Sequence, residues 1–343
     1  MARISDCAFK NLKGIFERNY RLTHLYALLL ERCPEIITEE LVNSLCKDTG
    51  LDRKAAVSAL LCEVLGLDTE GSPEDRILYR DYLIPSVRIL NADKYKKNPY
   101  YENVKLPDVK RGSWEFRTEK YAPFRAVICD DMVTLDDFTE YAPLGFFEEE
   151  FEFPAVLEDG NEWMTLTPVD LDTCEEAISD ATGKVITFGL GLGYYAYMVS
   201  RKQSVNSITV VEKSEKVIEL FKEYVLPHFD HPEKVRIINA DAFEYAEHQM
   251  PEERYDYAFV DTWRDASDGE VMYRRMKPLE TLNPHTKFSY WIEGFILSRL
   301  RSFKYGELDD AFNNGLLDLS KEDVYRALKN PLSYPFEETK NRR

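Results

Sequence analysis

The sequence predicts an α/β fold in which a doubly wound, mostly parallel sheet follows an N-terminal helical domain and a small β-rich connector. Short apolar runs alternate with amphipathic segments from Lys184 onward, as buried parallel strands joined by helical crossovers do. Capped helical stripes fill the N-terminal part, and the turn pair Asp159-Gly160 separates two apolar runs. The 343 residues exceed one ordinary core. Four regions are predicted: 1–112 helical, 113–166 β-rich with a hairpin, 167–300 doubly wound and 301–343 helical.

The N-terminal region is predicted to be a packing or lid module. Thr38 and Asp52 are candidate N-caps of two short helices, which end near Gly50 and Gly66. Two short helices around a tight turn also suggest a helix-turn-helix. However, residues 38–70 hold seven acids against three bases, whereas a recognition helix is basic.

The connector begins with a segment of bases, tyrosines and prolines, residues 91–112, for which we predict a solvated loop. Apolar runs on both sides of Asp159-Gly160 predict a β-hairpin. Thr167, Pro168 and Asp170 then have the spacing of an N-cap, a first helical position and an acid in the first turn. The doubly wound region is therefore predicted to start with a helix.

Five buried strands are predicted beyond this helix, and an acid follows four of them. In open parallel sheets, ligands bind outside the carboxyl ends of the strands. Glu212, Asp241, Asp261 and Glu293 occupy those positions on the second to fifth strands. An acid there can merely cap the next helix. Four acids at one edge of the sheet favour a binding pocket instead.

The first strand runs into three alternate glycines, Gly189, Gly191 and Gly193, in "VITFGLGLGYYAY". Glycines at this bend allow a ligand to approach the main chain closely. Glu212 lies 19 residues after Gly193, near the spacing at which an acid binds a ribose. The pattern predicts a nucleoside ligand. The glycines alone do not choose among nucleosides, because "GLGYYA" also fits the dinucleotide pattern.

Three motifs together resemble the class I S-adenosylmethionine-dependent methyltransferases over about residues 166–295. They are the glycine bend with its first glycine directly after the strand, "INADAF" after the third strand and "FVDTW" after the fourth. The chain is also similar to the related spermidine-synthase-type aminopropyltransferases. The resemblance implies a Rossmann-like sheet and S-adenosyl-L-methionine as cofactor.

The resemblance also implies roles for individual residues. The backbone at Gly189, Gly191 and Gly193 would pass under the methionine and ribose parts of the cofactor. Glu212 would hold the ribose hydroxyls, Asp241 and Ala242 would flank the adenine, and Asp261 would lie near the methionine moiety or the acceptor. Many members have an acid two residues before the first glycine, where this chain has Thr187. How the methionine ammonium is held therefore stays open.

The expected reaction is in-line methyl transfer to a small-molecule or protein acceptor, which can be cationic. Asp261 and Glu293 are the candidate catalytic bases, or they position an amine. Tyr194, directly after the bend, is the candidate aromatic partner of a sulfonium.

Three alternatives remain. Aminopropyl transfer from decarboxylated S-adenosylmethionine would use Asp261, Asp265 and Asp268 to seat a polyamine, but the family's D-S/T-S-D-P motif is kept only as Asp261-Thr262. A non-catalytic nucleoside-binding protein and an NAD-dependent redox enzyme are the others.

Composition and charge exclude several classes of partner. A net charge of −18 repels phosphate backbones, so no nucleic acid partner is expected. No apolar stretch approaches the roughly 20 residues that span a bilayer, and the start lacks a secretory signal, so we expect a cytoplasmic protein without a membrane partner. Six scattered cysteines without a CxxC pair predict neither disulfides nor a metal site. A homo-oligomer is left open.

Overall fold

The computed structural model describes residues 3–332. Its N-terminal part is helical, and the predicted caps are present. The Thr38 hydroxyl accepts the Leu41 amide at 3.4 Å, and the Asp52 carboxylate accepts the Ala55 amide at 2.8 Å. A π-helical stretch, Leu78–Leu83, joins the last two helices. These helices are α1 (Asp6–Arg32), α2 (Glu39–Thr49), α3 (Arg53–Val64), α4 (Pro73–Ile77) and α5 (Ile84–Ser86).

The segment between the helices and the connector is ordered by its tyrosines. It contains β1 (Val87–Leu90), α6 (Ala92–Lys96) and α7 (Pro99–Asn103). The prediction of a solvated loop over 91–112 is wrong, because Tyr95 and Tyr100 are buried in the core. Their rings supply apolar area from helices too short to show a periodic stripe.

The β-rich region forms small antiparallel sheets and the predicted hairpin. Asp159 (φ 52°) and Gly160 (φ 79°) both have positive φ, as a type I′ turn requires, so the hairpin is confirmed. β1 pairs in parallel with β7. The strands of this region are β2 (Val109–Arg111), β3 (Trp114–Tyr121), β4 (Val127–Ile128), β5 (Val133–Thr134), β6 (Glu140–Tyr141), β7 (Leu144–Phe147), β8 (Phe151–Glu158) and β9 (Asn161–Thr165).

The helical region and the connector share one hydrophobic core. Leu61 and Tyr82 from the helices pack in the same buried cluster as Phe124 and Leu144 from the connector. The division of the chain at residue 112 stays a prediction, and the packing continues across it.

The predicted doubly wound sheet is present as a Rossmann-like α/β unit. Within residues 3–332, five parallel strands pair in the order β12-β11-β10-β13-β14. The strand order reverses at β10, where such sheets bind ligands. The elements are α8 (Pro168–Asp180), β10 (Gly183–Phe188), α9 (Tyr194–Ser200), β11 (Val205–Glu212), α10 (Glu215–Leu220), β12 (Val235–Asn239), α11 (Ala242–His248), α12 (Met250–Glu253), β13 (Tyr257–Val260), α13 (Ala266–Met276) and β14 (Lys287–Tyr290).

Two further helices follow the sheet, α14 (Glu293–Asn313) and α15 (Lys321–Lys329). The predicted boundary between residues 300 and 301 therefore falls inside α14. Buried Arg301 of α14 donates from Nε to the Glu140 carboxylate of β6 at 2.7 Å, so this helix is tied to the connector. None of the helices in the described range 3–332 is long and apolar enough to cross a membrane.

Candidate functional site

A cavity of about 1100 Å³ opens at the carboxyl ends of the parallel strands. This volume is sufficient for a nucleoside together with a second reactant. The floor is formed where four strands end, by Gly189, Glu212, Asp241 and Asp261. The opposite walls come from the N-terminal region, β4, the hairpin and the start of α8, and include Leu30, Ile128, Trp163, Met164 and Asp170.

Glu212, the last residue of β11, has a carboxylate that two backbone amides hold in place. Its Oε2 accepts the Leu190 amide at 3.1 Å, and its Oε1 accepts the Ser214 amide at 2.7 Å. A carboxylate has about four lone-pair positions. Two therefore remain for a ligand in the cavity that Glu212 lines.

Asp241 both caps a helix and lines the cavity. Its Oδ1 accepts the amides of Phe243 at 3.0 Å and Glu244 at 3.2 Å. These bonds cap α11, which is the alternative role that the sequence allowed for an acid at a strand end. Its Oδ2 lies 3.9 Å from Nζ of Lys213, a side chain that is 82% exposed. Ala242 lies beside Asp241 in the cavity lining, so the two residues predicted to flank an adenine are together.

Other atoms of this chain fill the space next to the glycines of the bend. Gly189 (φ 94°) and Gly191 (φ 52°) line the cavity, whereas Gly193 (φ 76°) does not. A Cβ on Gly189 would overlap the Asp261 carbonyl oxygen, and one on Gly191 would overlap the Met164 thioether. Close contacts therefore explain these glycines, and the contacting groups include Asp261 and Met164 of this chain.

Several main-chain amides of the bend are already used inside the protein. The Gly189 amide donates to the Val211 carbonyl at 2.9 Å. The Leu190 amide donates to Glu212, and the Leu192 amide donates to Sδ of Met164 at 3.0 Å. Fewer donors therefore face the cavity than the glycine pattern suggests.

Asp261 is an unpaired carboxylate in the cavity, and no hydrogen bond from the described residues reaches its oxygens. Burial, together with the neighbouring carboxylates of Asp170 and Glu212, raises the pKa of Asp261 to about 8. The ion pairs found within residues 3–332 involve none of these three acids. The site therefore favours a cationic ligand.

Asp170 is a site residue that the sequence identified only as a helix-start residue. Its Oδ2 accepts the Thr167 amide at 2.7 Å and the Thr167 hydroxyl at 2.8 Å. Burial raises the pKa of Asp170 to about 6, although these hydrogen bonds lower it. Asp170 and Thr187 line the same small recess behind Gly189. Asp170 thus places an acidic side chain near Thr187, the position at which the sequence has no acid.

Glu293 does not reach the cavity, although the sequence placed it at the same edge as the other acids. β14 ends at Tyr290, and Glu293 is the first residue of α14. Its carboxylate accepts the Tyr273 hydroxyl at 2.5 Å and lies 3.5 Å from Nζ of Lys277. The expected position of Glu293 at the pocket is therefore corrected.

Replacing Glu293 by glutamine is expected to leave turnover unchanged and to lower the free energy of unfolding by about 1 kcal/mol, because a charge-assisted hydrogen bond to Tyr273 becomes a neutral one. Steady-state kinetics and urea unfolding of the variant measure the two quantities. A tenfold loss of kcat at unchanged stability would instead assign Glu293 to the reaction.

Tyr194 lines the small recess behind the bend and not the main cavity. Its hydroxyl accepts Nδ2 of Asn98 at 3.1 Å, and its ring packs edge-on against Tyr100 at 5.7 Å. The Tyr100 hydroxyl donates to the Leu192 carbonyl at 2.5 Å. The tyrosines after the glycines thus anchor α7 to the bend, and contact of Tyr194 with a sulfonium stays a prediction.

Three large side chains of the cavity escaped the sequence analysis. Trp163 and Met164 come from β9, and Trp291 follows β14, where its Nε1 donates to Thr173 at 3.1 Å. Trp163 packs edge-on against Trp114 at 5.3 Å. Whether a strand residue faces a site or a core depends on packing between distant segments, so nothing local in the sequence identified these three side chains.

Comparisons with known proteins add little. No family model matches the chain, and no curated protein matches it. The solved structures similar to it include spermidine synthase from Thermotoga maritima (18% identity, 45% of this chain and 59% of that chain, TM-score 0.31). A spermidine synthase in complex with the transition-state analogue AdoDATO matches at 18% identity, over 45% of this chain and 60% of that chain, with a TM-score of 0.33.

A precorrin 8W decarboxylase from Methanobacterium thermoautotrophicum matches at 16% identity, over 39% of this chain and 63% of that chain, with a TM-score of 0.25. The chain therefore spans less than two thirds of each of these proteins. All three TM-scores lie below 0.5, so these likenesses say nothing about the activity of this chain.

Proposed function

We propose that this chain is an enzyme that binds an adenosyl sulfonium donor of the S-adenosylmethionine type and transfers its methyl group to a small-molecule acceptor. One observation supports it above all others. The carboxylates of Asp170, Glu212 and Asp261 line one cavity at the carboxyl edge of a doubly wound sheet, without a cationic side chain paired to them. A ligand that carries positive charge and ribose hydroxyls fits this arrangement.

The nucleoside end of the donor would lie over β11 and β12. Glu212 has two lone-pair positions left for ribose hydroxyls, and Asp241 with Ala242 borders the adjacent floor. The positive sulfur would then lie toward Asp261 at the end of β13. The carboxylates of Glu212, Asp170 and, once it is ionised, Asp261 favour a sulfonium over the neutral thioether that remains after transfer.

The donor supplies an electrophilic carbon on a cationic sulfur. When an acceptor amine bonds to that carbon, the carbon–sulfur bond breaks, its electron pair stays on sulfur and the nitrogen releases one proton. Asp261 is the unpaired base in the cavity that can take this proton. With a pKa of about 8, Asp261 holds a proton at neutral pH before a ligand binds, and a bound sulfonium would displace that proton and leave the carboxylate free to act as base.

Aminopropyl transfer is the second candidate, and a specific observation favours it. The amides of Leu190 and Leu192 are occupied by Glu212 and Met164, so they are not free to bind the α-carboxylate of S-adenosylmethionine. The neighbouring acids Asp170 and Asp261 would instead attract an ammonium. A decarboxylated donor, which has the ammonium without the carboxylate, suits these surroundings.

A thermal-shift panel tests the proposal with S-adenosylmethionine, its demethylated product, decarboxylated S-adenosylmethionine and NAD. A ligand at 100 times its dissociation constant should stabilise the fold by about 2.7 kcal/mol. We expect a shift with the adenosyl sulfur compounds and none with NAD. A larger shift with the decarboxylated donor would select aminopropyl transfer.

A shift with NAD alone would refute the proposal. Binding of adenosyl compounds without turnover of any offered amine, thiol or hydroxyl acceptor would support the non-catalytic nucleoside-binding alternative. Release of the demethylated nucleoside or of methylthioadenosine, measured by chromatography, distinguishes the two transfer reactions.

A further inference from the structure

The end of the cavity away from Glu212 has an apolar wall. Leu30 and Pro34 of the N-terminal region line it together with Val127 and Ile128 of β4. These four side chains lack charged or hydrogen-bonding groups, and the guanidinium of Arg125, which also lines the cavity, is paired with Glu35 at 2.8 Å. The wall therefore comes jointly from the N-terminal region, to which the sequence assigned no chemistry, and from the connector.

Hydrogen bonds to the Asp131 carboxylate place this wall toward the β13–β14 side of the sheet. Asp131, three residues after Ile128, accepts the amides of Gly294 at 2.7 Å and Phe295 at 2.9 Å. Both amides lie at the start of α14, directly beyond β14. Ile128 packs against the same core cluster as Phe295. The residues just after β4 are thus tied to the start of α14, which puts this wall toward the β14 side of the sheet.

The two ends of the cavity are far enough apart for two different molecules. Neighbouring strands lie about 4.8 Å apart, so β11 and β14 are separated by about 14 Å across the sheet. A nucleoside held at Glu212 of β11 would leave the β14 end free. Asp261, at the end of β13, lies between them.

The wall itself argues against a polyamine, because none of its four side chains is acidic and a second ammonium lying along it would face no negative charge from them. Asp268, elsewhere in the cavity lining, accepts the amides of Arg264 at 3.2 Å and Asp265 at 3.1 Å. The remaining lining includes Met272 and Trp263. Desolvating an ammonium against such a surface is costly, whereas an alkyl or aryl group gains free energy there.

We propose that the acceptor is an amphipathic amine, with one amino group at Asp261 and an alkyl or aryl substituent along the wall formed by Leu30, Pro34, Val127 and Ile128. This inference rests on the proposed function, because it takes the nucleoside end of the cavity as the donor site. It also gives the N-terminal region a role, since Leu30 and Pro34 would contribute to the specificity of the acceptor site together with β4 of the connector.

The test is a turnover assay of the full chain with the preferred adenosyl donor and primary n-alkylamines from propyl to octyl. Each methylene that is buried should raise kcat/KM about fourfold until the wall is covered. A linear diamine should be at least tenfold poorer than the alkylamine of equal length. A flat chain-length profile, a better diamine or no turnover of any amine would overturn the inference.

Variants of Ile128 test whether the wall that contains this residue causes the chain-length dependence of kcat/KM. Ile128→Ala should weaken the chain-length dependence, and Ile128→Phe should shorten the longest alkylamine accepted, because it narrows the slot. Leu316→Ala is the control, since Leu316 is 72% exposed and outside the cavity. An unchanged profile in both Ile128 variants would place the substituent elsewhere and refute this wall as its site.

The thermal-shift panel separates the two proposals. If no adenosyl sulfur compound binds, the proposed function fails. If such a compound binds and supports turnover while alkylamines show no preference, only the inference about the acceptor fails.

Discussion

Replacing Asp261 by asparagine is expected to lower turnover by a factor of about 100 or more, because the variant loses both its negative charge and the base in the cavity. The amide keeps nearly the same shape, so the cavity should not collapse. Single-turnover kinetics with the donor saturating measure the transfer step directly. Product release then does not mask the effect.

The same variant should be more stable than the wild type at alkaline pH. The folded-state pKa of Asp261 is raised from 3.8 to about 8 by burial and by the charges of Asp170 and Glu212. Between these values the folded state binds the proton that the unfolded state has lost, so the free energy of unfolding falls as the pH rises through this window. Each unit of pKa corresponds to about 1.4 kcal/mol. The wild type should therefore lose several kcal/mol by pH 8, and Asp261→Asn should not.

Urea unfolding of both proteins at intervals from pH 5 to pH 9 checks this difference. Asp318→Asn is the matched control, because Asp318 is exposed and outside the cavity. The assignment fails if Asp261→Asn follows the pH dependence of the wild type and retains its turnover. Calorimetry adds a further check, since binding of a cation near pH 7.5 should release protons from Asp261.

Replacing Glu212 by glutamine is expected to weaken binding of adenosyl sulfur compounds by about 100-fold. Hydrogen bonds to a charged group contribute about 1.5–3 kcal/mol each and neutral ones about 1 kcal/mol, so replacing charged by neutral bonds at both ribose hydroxyls removes about 2.7 kcal/mol, which is about 100-fold. Glutamine also keeps only one of the two oxygens that hold the amides of Leu190 and Ser214. Isothermal titration with the demethylated nucleoside product measures the affinity without turnover.

Glu215→Gln serves as the control for Glu212→Gln. Glu215 is exposed, lies three residues along the chain and does not line the cavity. Equal dissociation constants for the wild type and the Glu212 variant would disprove the ribose assignment. A fully unfolded Glu212 variant would instead show that its two backbone bonds hold the first crossover together, and Glu212→Asp would then test the ribose contact.

The sequence correctly predicted those features of the fold that depend on residues close together in the chain. The alternation of apolar runs after Lys184 predicted the parallel strands, since a buried strand must be apolar on both faces. The pair Asp159-Gly160 predicted the hairpin because both residues tolerate positive φ. Glu212 and Asp241 reached the cavity because each lies where a strand ends.

The sequence by itself thus determined the order of the elements, the strand edge that bears the acids and the glycine bend. Tertiary packing alone decided which acids share the cavity: Asp170 enters it from α8, whereas Glu293 turns toward Tyr273. It also set Met164 over the bend and Ile128 in the wall of the cavity. The physical reason is that strand periodicity and helix caps depend on neighbours within a few residues, while the direction of a side chain depends on segments that meet only in the folded chain.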